Sequence, residues 1–543
     1  MKLRESNLQR LQAETLDTLI IGGGINGAIS AAALSAQGAR VGLVDRKDFA
    51  AHTSQESSNL IWGGIKYMET GEFALVRKLC MSRNELLDAY PSSVHEVRFY
   101  TTLERGFRWP RSALYAGAWL YWAIGSGFTA KPRLLSVADI NREEPTIRTD
   151  SSVGGFEYSD AYLVDNDARF VFGFIRSALD NGAMVANYTA AGISQRDSTG
   201  VWRTDVTDMI SGRKHSLRSR TIINAAGPFV DQQNATNAIA TEHQHVFSKG
   251  IHLIVPRLTR ERRVLTFFAD DGRLFFIIPM GVMSCIGTTD TRVSTPDATI
   301  TDDDRNFVLS NINKRLKLTT PLTRADVVAE RCGVRPLVIR KNRGSDATQD
   351  WTKLSRKHAI DFDPSGYLSI YGGKLTDCLN IGREIADILK NHGLQLPHRT
   401  AKWFGEPLQF YEEFKHRAHL LGLDQMTAPE SSERLSSRLW RRYGLRALNM
   451  LESIRQDPRM AEVLIKGTEY IRCELYEAAE NEMVTKLEDF LRRRSKIALI
   501  ASTERIRRAA GLQEACQILF GAAAESKLDE YFDQHPIARA ASV

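Results

Sequence analysis

The sequence has few cysteines and does not pair them. Cys80, Cys285, Cys332, Cys378, Cys473 and Cys516 are scattered through 543 residues without a C-x-x-C pair. This argues against a zinc site or a disulfide framework and fits a reducing cytosol. No hydrophobic run approaches the roughly 20 residues that a membrane span requires. The opening MKLRESNLQR is polar and lacks the apolar centre of a secretion signal. A soluble protein, or one resting on a membrane surface, is expected. Internal repeats and low-complexity tracts are absent. An excess of either charge is also small: 72 basic against 65 acidic residues leave a net +7. That balance suits anionic small substrates or anionic lipid but is spread too thinly for nucleic acid. A hydrophobic content of 43% with 25% charged residues excludes a disordered or fibrous chain. The length calls for two or three domains.

What is present begins with a β-branched and apolar run at 18–21, which reads as a buried strand. A helical pattern follows over 26–37, then a second apolar run over 41–44. Between the first strand and the helix stands Gly22-Gly23-Gly24-Ile25-Asn26-Gly27, a G-x-G-x-x-G loop. Such a loop needs a tight turn at its first glycine, close backbone approach to a pyrophosphate at the second, and close helix packing at the third. The helix N-terminus then presents N–H groups to the phosphates. Asp45 closes the second strand, where a carboxylate can accept from ribose hydroxyls. An acid there argues against a 2′-phosphate, hence against NADP, without separating NAD from FAD.

FAD is favoured by the run TIINAAGP at 221–228, a strand ending in small residues. A plain strand and turn is the other reading. Tyr371-Gly372-Gly373-Lys374-Leu375-Thr376 places a glycine pair ahead of a helical pattern, where a helix N-terminus would stabilise negative charge on a reduced flavin. Further strands are expected at 251–255, and an antiparallel hairpin at 274–278 and 284–287. From about residue 410 a separate helical domain is expected, with helices over 434–451 and 473–499. The stretch ESSNLIWGGIKYM at 56–68 puts a glycine pair among bulky apolar residues beside a lone cation, so either it is a surface turn or its backbone lies close to something flat.

Taken in order, the motifs resemble one family. They are IIGGGINGA (20–28), SSNLIWGGIKY (57–67), GGFEYSDAYLVDNDARF (154–170), NAAGPFVD (224–231), SKGIHLIVP (248–256), CIGTTD (285–290), GVRPL (333–337), SRKHAI (355–360) and YGGKLT (371–376), followed by RRYGLRA (441–447) and EMVTKLEDFLRRRSKIAL (482–499). The resemblance is to the FAD-dependent, membrane-associated glycerol-3-phosphate dehydrogenases and their relatives, the glycerophosphate oxidases. It implies a Rossmann-like FAD-binding domain of the D-amino-acid-oxidase type, an antiparallel β substrate domain and a C-terminal helical domain, thus an α/β plus α+β fold. The boundaries expected are 15–105, 155–245 and 350–395 for the discontinuous FAD-binding domain, 106–154 and 246–349 for the substrate domain, and 400–543 for the helical domain.

The resemblance also implies site residues. Cofactor contacts fall on Gly22, Gly24, Asn26, Gly27 and Asp45, then on Thr53, Ser54, Ser57, Ser58, Gly63 and Gly64. They continue at Ala226, Gly227, Gly373, Leu375 and Thr376. Gly63 and Gly64 would lie against the flavin. The substrate's phosphate falls to Lys66, Tyr67, Arg335, Arg356 and Lys374, since a dianion prefers several charge-assisted donors. The plainer readings are surface charges at Arg335 and Arg356 and a solvated loop lysine at Lys374. The family's usual pattern has a His before the glycine pair and an Arg before the Tyr, where this chain has Trp62 and Lys66. Trp62 cannot exchange protons, so His252 is the candidate base, with a structural histidine as its alternative. Lys374 is the second candidate. Asp160, Asp165 and Asp167 read as structural, Asn166 or Asp165 capping a helix near Ala168.

The expected activity is oxidation of sn-glycerol 3-phosphate to dihydroxyacetone phosphate, with electrons passed to quinone. The alternatives are an oxidase using dioxygen, a related FAD enzyme acting on another hydroxy acid or amine, and a non-catalytic FAD-binding sensor. The partners expected are a small-molecule phosphate ester, a quinone, the cytoplasmic membrane surface and, as an open option, a second copy in a homodimer. No nucleic acid is expected. Residues 105–133, rich in aromatics and edged by cations, read as an interfacial anchor or as a buried aromatic helix. Arg492-Arg493-Arg494 reads as added lipid attraction or as a solvated face.

Overall fold

The computed structural model describes residues 2–341 and 357–536; Arg356 lies outside them. One sheet has eight strands. Its main path runs Ala359–Asp363, Tyr367–Tyr371, Lys214–Asn224, Thr15–Ile21, Val41–Val44 and Met184–Ala186. From Tyr367–Tyr371 to Met184–Ala186 the strands are parallel. Their sequences are near-continuous apolar runs because both faces are covered, one by helices and the other by the helix Leu3–Ala13 together with the antiparallel strands Thr189–Arg196 and Trp202–Asp208. Leu19, Ile20, Val41, Leu43, Ile222 and Ile223 are fully buried. The helix Ile25–Ala36 is buried from Asn26 onward, packed among the sheet and the helices Asp167–Asp180 and Cys378–Asn391. Its alanines permit that close approach.

The other sheet has ten strands. Its longest ladder pairs His243–Pro256 with Ala329–Arg340, and the expected hairpin is present as Leu274–Met280 and Met283–Gly287. Along His243–Pro256 the side chains alternate. Ile251, Leu253 and Val255 enter a core shared with the helix Asp302–Arg315. Ile254 enters a separate core with residues of the helices Phe73–Ala89 and Arg111–Ile124. Ser248, Gly250 and His252 share its face. Residues 94–104 and 155–163, expected within the FAD-binding segments, run in this second sheet. The strand Val94–Glu104 pairs with Ser152–Leu163 and, in parallel, with Arg263–Phe268.

Both long C-terminal helices are interrupted. The first divides at Gly444, whose φ is +52°, into Leu435–Tyr443 and Arg446–Gln456. The second stops at Asn481, where Glu482 is drawn inward by Arg169 and Arg176. It resumes as a single π-helical turn, Asp489–Arg494. That turn corrects the reading of the arginine run: Arg493 and Arg494 are buried on the carboxylate of Asp48 and Arg492 pairs with Glu56. The cations answer Asp48 and Glu56 of the first domain, not lipid or solvent. Among the described residues no helix is long and apolar enough to cross a membrane.

Candidate active site

Parallel pairing sets Ile21 beside Asn224, so the glycine loop and the small residues after 224 lie side by side. A side chain at Gly22 would meet the Ala225 carbonyl at 2.5 Å, and φ at Gly22 is +106°. A side chain at Gly27 would collide with the Gly22 carbonyl, which is the helix packing expected of the third glycine. Gly24 occupies the N-cap without a side-chain cap. Ile25 N–H donates to Ser54 Oγ at 3.0 Å, and Asn26 Nδ2 donates to the Gly372 carbonyl at 2.9 Å. Asn26 Oδ1 is buried and has no partner among the described residues. Gly227 adopts φ +58° with open space on its side-chain side. Asp45 accepts from Gly23 N–H at 2.6 Å and from Lys47 N–H at 2.8 Å. Burial nevertheless pushes its carboxyl up to about 6, against those two bonds.

The loop at 53–58 runs from this cradle to the second sheet. Thr53 Oγ1 donates to the Val334 carbonyl at 2.9 Å. Ser57 N–H donates to Asp167 Oδ2 at 2.8 Å, its Oγ accepts from Asn59 N–H, and Ser58 is half-buried. Asn166 caps the helix Asp167–Asp180, accepting from Arg169 N–H, so of the two caps expected it is Asn166 that serves. Gly63 N–H donates to Asp160 Oδ1 at 3.0 Å, and that buried carboxylate also accepts from Arg83 at 2.8 Å and from Tyr121 OH at 2.8 Å. A side chain at Gly63 would collide with the Tyr121 hydroxyl, and one at Gly64, where φ is +81°, would meet the Tyr67 ring at 2.6 Å. The close approaches visible at both glycines are to the protein's own side chains.

Three segments converge beyond that pair. Lys374 Nζ donates to Tyr67 OH at 2.7 Å, and Thr376 Oγ1 donates to the Trp62 carbonyl at 3.3 Å. A side chain at Gly372 would meet Val338 at 2.6 Å, so the 371–376 turn abuts the strand carrying Arg335. Arg335 lies over Gly250 and donates to Thr288 Oγ1 at 3.0 Å and Asp290 Oδ1 at 3.3 Å, with 26% of its side chain exposed. His252 is buried, and neither ring nitrogen has a partner among the described residues. Burial first, then Arg335 and Arg331, pull its pKa down to about 3. Trp62 Nε1 donates to Tyr158 OH at 3.2 Å, and Lys66 is exposed on the turn Ile65–Met68. Tyr67 and Lys374 are thus joined directly, Arg335 and His252 lie on the two paired strands that the 371–376 turn abuts, and Lys66 adjoins Tyr67 on an exposed turn.

Sequence reasoning missed the support beneath these groups. Arg331 is buried and donates to the Ser57 carbonyl and Asn59 Oδ1. Glu56 accepts from Cys332 N–H at 3.1 Å and from Arg492 at 3.0 Å. Glu56 opens the quoted glycine-pair stretch, and a charge preceding two serines was the one available signal.

The strand–glycine loop–helix unit and the small-residue border at 225–227 fit the pyrophosphate and adenosine side of a dinucleotide, and the orphaned acceptor of Asn26 fits a hydroxyl or N–H donor of the same molecule. Fold and site together define a dinucleotide-dependent oxidoreductase. Residues 17–388 match the sequence model of the FAD-dependent oxidoreductase family, and residues 409–521 match the C-terminal domain of alpha-glycerophosphate oxidase. The chain is 32% identical over 511 residues to the glycerol-3-phosphate dehydrogenase of Pseudomonas tolaasii, covering 91% of this chain and 94% of that one. Glycerol-3-phosphate dehydrogenase 2 of Mycobacterium bovis is 30% identical over 502 residues, 90% of this chain and 82% of that one. The glycerol-3-phosphate dehydrogenase of Bacillus halodurans, solved complexed with FAD, superposes with a TM-score of 0.72 at 23% identity, covering 98% and 96% of the two chains. The chain belongs to the FAD-dependent oxidoreductase family, in its glycerol-3-phosphate dehydrogenase and glycerophosphate oxidase branch, and its cofactor is FAD.

Proposed function

We propose that the protein oxidises sn-glycerol 3-phosphate at C2 to dihydroxyacetone phosphate and delivers the electrons to a quinone. The observation that carries this reading is that the turn bearing Lys374, whose ammonium is bonded to Tyr67, abuts the strand bearing Arg335, next to the glycine loop. The loop 22–27 would hold the pyrophosphate, Asp45 the ribose, and Thr53, Ser54, Ser57 and Ser58 the middle of the cofactor. Gly63, Gly64, Ala226, Gly227, Gly373, Leu375 and Thr376 would border the flavin. FAD, when bound, supplies the acceptor for the hydride from C2.

Arg335 and Lys374 bind the phosphate, Arg335 being oriented by Thr288 and Asp290 so that its planar fork is preset before substrate arrives. Arg356 and Lys66 complete the cation set in this reading. Lys374 serves as a fixed cation, because its ammonium is held on the Tyr67 ring and hydroxyl. His252 takes the C2 hydroxyl proton. Its low pKa keeps the ring neutral at working pH, and it remains basic enough: as hydride leaves, the hydroxyl becomes a protonated carbonyl, far more acidic than an imidazolium.

A membrane-surface site of electron delivery is supported by the helix Arg111–Ile124. Tyr121 and Ala118 face inward, while Trp119 and Leu120 are 36% and 47% exposed; Trp109 and Phe128, flanking the helix, are also exposed. The match of residues 409–521 to a glycerophosphate oxidase domain favours a second reading, with dioxygen as acceptor. Anaerobic addition of sn-glycerol 3-phosphate should bleach the flavin, and a quinone analogue should restore its colour. No bleaching would reject the substrate, while peroxide formed at the rate of turnover in air would favour the oxidase.

A further inference from the structure

His358 stands just before the strand Ala359–Asp363, with a carboxylate at each ring nitrogen. Nδ1 is 2.9 Å from Asp377 Oδ2, and Nε2 is 2.8 Å from Glu384 Oε2. Its side chain is 5% exposed. A neutral imidazole has one N–H and one lone pair. Either neutral tautomer would set that lone pair against carboxylate oxygen, at a contact too short to be idle. Only the imidazolium satisfies both partners at once.

The carboxylates are themselves held ionised by what surrounds them. Asp377 has Lys78 of the helix Phe73–Ala89 at 3.3 Å, and accepts from Asn380 at 2.7 Å and Ser82 at 3.4 Å. Among the described residues, Lys78, Asp377 and Glu384 are the charged groups facing His358 from the helix Phe73–Ala89, the turn Leu375–Asp377 and the helix Cys378–Asn391. Burial pulls the His358 pKa down, but the bonds to Asp377 and Glu384 outweigh it and leave it above the ordinary histidine value. Against its own burial Asp377 is held below the usual carboxylate range by His358, and Glu384 is held down by the same ring.

Asp377 is also the last residue of the turn that carries Lys374. Its N–H donates to the Lys374 carbonyl at 3.0 Å, closing the single turn Leu375–Asp377 ahead of the helix Cys378–Asn391. Anchoring Asp377 therefore anchors the backbone from which Lys374 projects. We infer that His358, as an imidazolium bridging Asp377 and Glu384, is a positioning residue that holds Lys374 where the substrate's phosphate binds. The inference rests on the reading of Lys374 given above. A cation is required because neither a neutral ring nor an amide can donate to both acids with full charge assistance. The bridge holds between the lowered carboxylate values and the raised imidazolium value, and opens as pH rises through the latter.

The test uses the full-length, FAD-loaded protein and two variants. His358→Gln keeps a neutral amide donor group and removes the charge. Glu384→Gln removes the charge of the more exposed partner and leaves the buried pair. In a nitrogen NMR titration, the histidine missing from His358→Gln should carry protons on both ring nitrogens to a pH above the ordinary value of about 6.5. Glu384→Gln should lower that midpoint. In parallel, His358→Gln should raise KM for sn-glycerol 3-phosphate by about tenfold, the scale of one charge-assisted hydrogen bond, with kcat within about twofold and the flavin spectrum retained. Wild-type KM should rise on the alkaline side, where the variant's is already high. A ring with one unprotonated nitrogen below about 6.5, or an unchanged KM in His358→Gln, would overturn the proposal. Should wild type not turn over this substrate, the function reading falls, and the NMR midpoint still decides whether the charged bridge exists.

Discussion

Lys374 touches Tyr67 twice: its ammonium donates to the phenol oxygen at 2.7 Å and lies 4.0 Å from the ring centre. Two segments 307 residues apart in the chain are tied at this point. The hydroxyl contact fixes direction, and the ring face stabilises the charge without neutralising it. Tyr67→Phe keeps the face and removes the oxygen. KM for glycerol 3-phosphate should rise about three- to tenfold with kcat near wild type, the cost of one ordinary hydrogen bond. Steady-state kinetics with a dye acceptor measures this, and an equal fall in kcat would place Tyr67 in the chemical step instead.

Arg335 is held by Thr288 and Asp290 on the strand beside the Gly372 turn. On the phosphate role proposed for it, Arg335→Ala should raise KM by about one hundredfold, while Arg335→Lys, which lacks the planar fork, should recover only part. Flavin absorbance should be unaltered in both. An unchanged KM in Arg335→Ala would remove this residue from the phosphate site.

His252 is neutral from about 3 upward, because burial and the neighbouring Arg335 and Arg331 lower its pKa from 6.5 to about 3. At saturating substrate, kcat should therefore show no loss near 6.5 from this residue, and His252→Ala should reduce kcat by about one hundredfold or more. The same shift has a stability consequence of definite sign. The unfolded chain binds a proton below 6.5 that the folded site refuses until about 3, so His252 lowers stability as pH falls between those values. Urea midpoints measured through that window should fall less in His252→Ala than in wild type. A kcat limb near 6.5 that vanishes in the variant would contradict the burial argument.

What could be read from the sequence was local. The glycine loop, its flanking strands and the 274–287 hairpin are each encoded within about thirty residues, where spacing alone determines the form. The 371–376 turn was legible for the same reason. The supports of the site were not, because their partners are distant. Arg494 reaches Asp48 across 446 positions, and Arg331 reaches Ser57 across 274. An arginine run looks solvated until the acids that bury it are known. His358 was visible within SRKHAI, yet its role depends on Asp377 and Glu384, which become its neighbours only when a strand folds against a helix.

The pair between Glu56 and Arg492 joins the C-terminal domain to the floor of the site. Arg492 donates to Glu56 at 3.0 Å, and Glu56 accepts from Cys332 N–H at 3.1 Å, next to Gly333. Arg492→Ala strands a largely buried carboxylate and should cost about 3 kcal/mol of stability, the lower end for a broken buried pair. Adding Glu56→Gln should restore part of that loss, since the uncompensated charge goes with it. Chemical denaturation of the single and double variants gives the coupling. A strictly additive double variant would show that the two side chains do not act together.

The helix Arg111–Ile124 has a fixed orientation, because Tyr121 is held inward on Asp160 at 2.8 Å and Trp122 Nε1 donates to the Thr129 carbonyl at 2.7 Å. Trp119 and Leu120 therefore project outward together, with Phe128 exposed just beyond the helix. An outward apolar pair on a pinned helix is suited to entering the headgroup region of a bilayer, to a depth far short of spanning it. Trp119→Ser combined with Leu120→Ser should weaken binding to anionic lipid vesicles by about tenfold or more, given roughly 1.5–3 kcal/mol for each buried large apolar side chain. Turnover with a water-soluble dye should be unaffected, because neither residue reaches the substrate segments, whereas turnover with a membrane-dissolved quinone should fall with vesicle binding. Undiminished vesicle binding would assign the patch to another surface role, and a parallel loss of dye turnover would show that these residues support the fold of the site rather than its docking.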